Sequence, residues 1–183
     1  MYDVLIKSGY AALNVDNWNR TVVCEEDVPN GAVFALSEYS TDADSKIVWK
    51  AGKPAADAKN LWMASSPEVV ITILPDGTEL KGIDNNIRDF VNIKGHPIDA
   101  FKLIEDDVLT IVPSEANATA MATAKFLIPD TTKFAFKAET ETATTAPTAG
   151  MYLKALGATT AHIGDGNLVK KAVTAYKFVV CVA

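Results

Sequence analysis

The apolar residues of this chain fall into short runs set between turn-forming residues, and most runs are rich in β-branched or aromatic side chains. Branching at Cβ favours extended backbone, where such side chains pack well on a pleated surface. The pattern predicts strands at Val4–Ile6, Thr21–Cys24, Ala32–Leu36, Ile47–Trp49, Glu68–Leu74, Phe101–Ile104, Val108–Val112, Phe126–Ile128, Phe134–Phe136, Met151–Leu156 and Tyr176–Val182. Glu68–Leu74 is the clearest of these, with Val69, Val70 and Ile71 in succession.

The residues between the runs punctuate them. Ser8, Gly9 and Tyr10 read as a turn, and so do Pro29, Asn30 and Gly31, because proline presets its own φ and glycine tolerates positive φ. Pro75, Asp76 and Gly77 close the Glu68 run. Ser40–Ser45 reads as a polar loop, and Glu105, Asp106 and Asp107 as a tight, solvated acidic turn between two strands. Helical signals are weak. Pro54–Asn60 offers one or two turns, with proline suited to the first. Ser114 is a candidate N-cap for a short helix or loop over 114–124, a window without a stripe of bulky apolar residues. Asp84–Val91 reads as a helical turn or an irregular strand. The Thr/Ala-rich stretch 139–150 has little to bury and is expected to be an exposed loop.

Many short strands with turns between them predict a mainly β fold: a single β-sandwich or barrel-like domain over 1–183 with a few short helices. Strands do not alternate with long helices, which argues against a parallel α/β sheet. With 183 residues and 49% hydrophobic content the chain has the material for a real core. Phe34, Trp49, Val70, Ile71, Leu103, Ile111, Phe136 and Phe178 are its expected members.

Charge narrows the partners. The net charge is −6, and the basic residues are scattered, so no nucleic-acid partner is expected. No apolar run is long enough to cross a bilayer as a helix, and the first residues lack the basic start and apolar middle of a secretory signal. No membrane partner is expected, and the chain is expected to stay in the cytosol or leave by lysis. In that compartment Cys24 and Cys181 read as buried thiols. A disulfide between them stays open, because it depends on a Cα separation that the sequence does not contain.

Residue types that carry chemistry are present but isolated. His96 and His162 have no His or Cys at ligand spacing. Asp42 and Asp44 begin a calcium-loop pattern that lacks the later glycine and glutamate. Gly164, Asp165 and Gly166 lack the spacing and the Lys-Ser/Thr ending of a phosphate loop. Asn117-Ala-Thr119 fits a glycosylation sequon, but with no secretory signal expected it is not expected to meet that machinery. Trp18, Trp49 and Trp62 raise a sugar-stacking platform, although Trp49 and Trp62 lie in strand-like runs that favour a core. The expectation is a protein that is not an enzyme and needs no cofactor.

Four pieces follow one another through the middle of the chain: Leu61-Trp-Met-Ala-Ser-Ser-Pro-Glu-Val69, Asp89-Phe-Val-Asn92, Ala100-Phe-Lys-Leu-Ile-Glu-Asp-Asp-Val-Leu-Thr-Ile111, and Thr132-Lys-Phe-Ala-Phe-Lys-Ala-Glu139. Their order and spacing resemble small virion proteins of tailed bacteriophages, the capsid decoration and head-fibre proteins. Ser66 stands where that pattern has alanine, and Asp106-Asp107 where it more often has Gly-Asp. The resemblance implies a non-enzymatic decoration (cement) or head-fibre protein on the outer surface of a phage head. Its partners would then be the major capsid protein and other copies of itself by particle symmetry. It would be assembled in the host cytoplasm and located in the virion. The segment 1–20 is the expected capsid contact, through Val4, Leu5, Ile6, Tyr10 and Trp18, since aromatic anchors dominate many interfaces. The alternatives are a phage tail-tube or adsorption protein, with 139–150 as the tip of a long hairpin, and a soluble carbohydrate-binding β module.

Overall fold

The computed structural model describes residues 1–42, 45–73, 75–76, 79–83, 87–139, 145–164 and 170–183. Its strands, in chain order, are β1 (Val4–Ile6), β2 (Asn19–Val23), β3 (Val33–Thr41), β4 (Ile47–Gly52), β5 (Trp62–Ala64), β6 (Val69–Ile73), β7 (Glu79–Ile83), β8 (Pro97–Lys102), β9 (Val108–Val112), β10 (Phe126–Pro129), β11 (Phe136–Ala138), β12 (Met151–Ile163) and β13 (Lys171–Val182). Among the described residues, helix is limited to α1 (Ala118–Thr123) and 3-10 turns at Ala11–Asn14 and Asp16–Trp18. The fold is mainly β, as the periodicity predicts.

The strands form a closed barrel in the order β2-β4-β3-β5-β8, a six-stranded sheet in the order β1-β9-β13-β12-β10-β11, and a separate β6-β7 hairpin. All pairings are antiparallel except β2 with β4. Barrel and sheet share a core. Val33, Met63 and Phe101 from the barrel cluster with Leu109, Leu153 and Phe178 from the sheet. Their neighbours in sequence, Phe34, Trp62 and Ala100, belong to the second cluster, which fills the barrel. Successive residues of a strand point to opposite faces, so β3, β5 and β8 are buried on both faces where they form the common wall. This is why Leu61–Ala64 and Ala100–Phe101 read as unbroken apolar runs rather than as alternation.

The acidic segment at 105–107 does not close a hairpin. β8 belongs to the barrel and β9 to the sheet, so the segment carries the chain from one to the other. Nor is it simply solvated: Asp107 is buried. Its carboxylate accepts the backbone N–H of Ala11 at 2.6 Å and of Ile104 at 3.0 Å. Backbone bonds from Asp106 N–H to the Val180 carbonyl and from Val180 N–H to the Asp107 carbonyl tie the crossing to β13. Asp106 sits at φ 72°, a conformation that favours glycine. Gly9 also meets a steric demand, at φ 84°: a Cβ there would lie 2.9 Å from the Val108 carbonyl oxygen.

Other expectations shift. β3 runs on through Ser40 and Thr41, which read as loop. β12 and β13 are 13 and 12 residues long, beyond the apolar stretches that announced them. β11 begins at Phe136, and Phe134 instead packs edge-on against Phe34 with ring centroids 6.4 Å apart. The N-cap of α1 is Asn117, not Ser114, and it makes no side-chain cap bond. The Pro54–Asn60 window holds only a turn. Of the expected core, Phe34, Leu103, Ile111 and Phe178 are buried, while Trp49 and Phe136 are half-buried against the core. The side chains of Val70 and Ile71 lie outside the described residues, as do 84–86 of the Asp84–Val91 window and 140–144 of the 139–150 stretch.

The crossing makes two expectations. Asp107→Ala leaves two backbone N–H groups without their charged acceptor and should cost about 1.5–3 kcal/mol in urea or thermal unfolding. Asp106→Gly relieves the positive φ while adding unfolded-state entropy, so it should change stability by no more than about 1 kcal/mol. A loss at Asp106→Gly as large as at Asp107→Ala would contradict this reading.

Candidate functional site

Among the described residues, no group of three or more His, Cys, Asp or Glu side chains is arranged to hold a metal ion. His96 is exposed in the turn before β8, and His162 is exposed on β12 opposite Ala172. Asp42 closes the β3–β4 connection by accepting the Lys46 N–H at 2.7 Å. Ala43 and Asp44 of the calcium-like pattern lie outside the described residues, as do Asp165 and Gly166. Cys24 and Cys181 are both free thiols. Burial, assisted by Glu26, pushes the Cys24 thiol up to about 12, so it does not supply a reactive thiolate at neutral pH. Glu25 pairs with Lys50, and Glu26 with Lys53 at 3.8 Å.

The tryptophans do not make one platform. Trp62 lies in the barrel core with the Arg20 guanidinium 5.7 Å from its ring centroid. Trp18 packs against the core shared with the sheet. Trp49 packs on the barrel core and stacks on Tyr39, with centroids 4.3 Å apart. Tyr39 and Ile47 are 61% and 76% exposed, the most open apolar groups of the β3–β4 hairpin. The register of the hairpin pairs Tyr39 with Trp49 and Thr41 with Ile47, so all four residues share one face.

The expected N-terminal contact residues are committed elsewhere. Val4, Leu5 and Tyr10 are buried, and Ile6 and Trp18 are half-buried. β1 pairs with β9 through Val4–Val112, Leu5–Ile111 and Ile6–Thr110. Tyr10 stacks on Phe101 with centroids 4.0 Å apart and planes within 7°. The segment 1–20 is therefore built into the sheet and the shared core, and its removal would open both. In that segment Met1, Tyr2 and Leu13 are the exposed large apolar groups. Met1, Tyr2 and Asp3 also stand over a cavity of about 240 Å³ lined by Leu5, Met63, Ile111, Met121 and Phe136. The Asp3 carboxylate at its edge already accepts from Ser114 N–H and Asn117 Nδ2.

The most organised polar constellation joins two of the quoted sequence pieces. Asn30, Ser66 and Asn92 are buried together. Asn30 Nδ2 donates to the Ser66 carbonyl at 2.8 Å and to Glu68 Oε1 at 3.0 Å. Its Oδ1 accepts from Ser66 N–H at 2.9 Å and from Asn92 Nδ2 at 3.2 Å. Ser66 Oγ accepts the Asp99 N–H at 2.9 Å, a bond that an alanine at this position does not make. Asn92 exchanges backbone bonds with Val28, and Lys7 covers the group by donating to the Ser66 carbonyl and pairing with Glu68 at 2.7 Å. The arrangement bonds its members to one another across three loops, so it holds segments together. Turn composition pointed to Asn30 only as a turn residue. Its role depends on loops distant in sequence, which no local signal reports.

Comparison with protein-family models, curated proteins and solved structures returns no match.

Asn30→Ala removes four hydrogen bonds and leaves the Ser66 N–H buried without an acceptor. It should cost about 1–3 kcal/mol, and more than Ser66→Ala, which removes one side-chain bond. Equal stability of the two variants in chemical unfolding would contradict the central place of Asn30.

Proposed function

We propose that this chain is a non-enzymatic virion structural protein of a tailed bacteriophage, a decoration or head-fibre protein on the outer surface of the head. The reading is carried by the ordered resemblance from Leu61 to Glu139. It is supported by what those residues do in this fold. Ser66 and Asn92 meet in one buried network, Phe101 lines the common wall, and Asp107 latches the crossing between barrel and sheet. In this reading the quoted pieces serve as a scaffold rather than a reaction centre. A net charge of −6 also suits a surface that must not adhere to the packaged genome.

Capsid contact then falls to exposed apolar groups instead of Val4, Leu5 and Tyr10. Tyr39 and Ile47 on the β3–β4 hairpin are the first choice, because an aromatic side chain already held by stacking loses little entropy on docking. A tail-tube position is the second reading. It is favoured by the long β12–β13 hairpin, whose strands run 13 and 12 residues.

Cryo-electron microscopy of particles from infected cells that produce the chain separates the two. The head reading predicts symmetric density on the outside of the shell, with the β3–β4 hairpin facing the capsid. Density confined to the tail would replace it with the second reading. Absence of the chain from purified particles would overturn both.

A further inference from the structure

β12 outlasts its neighbour on one side. β10 pairs with it only at Leu153 and Lys154, and the neighbouring bond runs from Ala155 N–H to the Lys125 carbonyl. A bulge then interrupts the register between Ala155 and Gly157, with Gly157 at φ 134°. From Gly157 to Ile163, β12 pairs with β13 alone among the described residues. Alternate residues of such a strand present backbone N–H and C=O groups outward, which makes it a template for another strand.

Exposed edges are commonly protected by charge or proline. The stretch Gly157-Ala-Thr-Thr-Ala-His-Ile163 contains no Lys, Arg, Asp, Glu or Pro. β13 differs: it pairs with β9 only over Tyr176–Val179, and the stretch beyond that pairing carries Lys171. One edge of the hairpin is thus guarded and the other is not. A row of backbone donors and acceptors selects a β-strand as its occupant. The composition of the edge selects which strand. Paired antiparallel with itself about a two-fold axis at Thr160, it sets Thr159 against Ala161 and Ala158 against His162. No carboxylate or lysine then meets its own kind across the axis, despite the net charge of each chain.

We propose that this edge of β12 pairs with the same edge of a second copy of the chain, joining two six-stranded sheets into one continuous sheet. The proposal rests on the edge and not on the virion reading. In a particle, the same contact would be one at which neighbouring copies join.

The test is the mass of the purified full chain by sedimentation at about 100 μM, above the micromolar affinity of a weak interface. The expected result is a species of twice the 19.6 kDa chain mass. Ala158→Lys with Thr160→Lys, both at exposed positions, should shift it to the monomer with an unchanged far-ultraviolet circular dichroism spectrum. Thr160→Val, which keeps the edge neutral and β-branched, should remain dimeric. A monomeric wild type, or a lysine variant that associates as the wild type does, would overturn the proposal.

Discussion

β3, β5 and β8 form a wall with a core on each side, and that double burial constrains the rest of the molecule. Val33 and Phe34, Met63 and Trp62, and Phe101 and Ala100 are adjacent pairs whose members face different clusters. Full burial of a large apolar side chain is worth roughly 1.5–3 kcal/mol, so the wall concentrates much of the favourable energy in a few residues. A polar residue introduced at these positions would face a core whichever way it pointed. A slip of one residue in register would exchange the two sets, forcing Phe34 and Phe101 into spaces shaped for their neighbours.

A wall buried on both faces leaves its backbone ends to be satisfied at the rim, and polar side chains do this. Gly31 N–H donates to the Ala64 carbonyl and Ala64 N–H to the Ala32 carbonyl, which continues the β3–β5 pairing past the strand ends. Asn30, just before β3, and Ser66, just after β5, take over from there, and Ser66 Oγ reaches the Asp99 amide of β8. The other end of the wall has Asp107, which fixes the passage from β8 to β9 and anchors the turn at Ala11. Buried and fully bonded, such groups specify one arrangement of segments among the many that an apolar core alone would tolerate.

Local periodicity revealed most of the strands, because short β-branched runs between turn residues have few other uses. It placed β9 at Val108–Val112 and found the cores of β1, β2, β4 and β6. It understated β12 and β13, whose outer halves are rich in alanine and threonine and gain their structure from mutual pairing. It missed β7, where Glu79, Lys81 and Gly82 break the apolar signal. Val4, Leu5 and Tyr10 are apolar enough to anchor a partner, and they pack into the chain's own clusters, a use that local composition does not report. Asn30 and Asp107 act through bonds across 36 and 96 positions of sequence, beyond the reach of any local pattern.

Amide hydrogen exchange under native conditions tests the central claim most directly, namely that the side-chain network at the rim is part of the cooperative core. The amides of Ser66 and Asp99 are bonded to side chains, to Asn30 Oδ1 and Ser66 Oγ, rather than to strand carbonyls. The account predicts that both exchange only with global unfolding, at the same free energy as core strand amides such as those of Leu109 and Phe178. Exchange of Ser66 and Asp99 through local opening, several kcal/mol below the core amides, would contradict it.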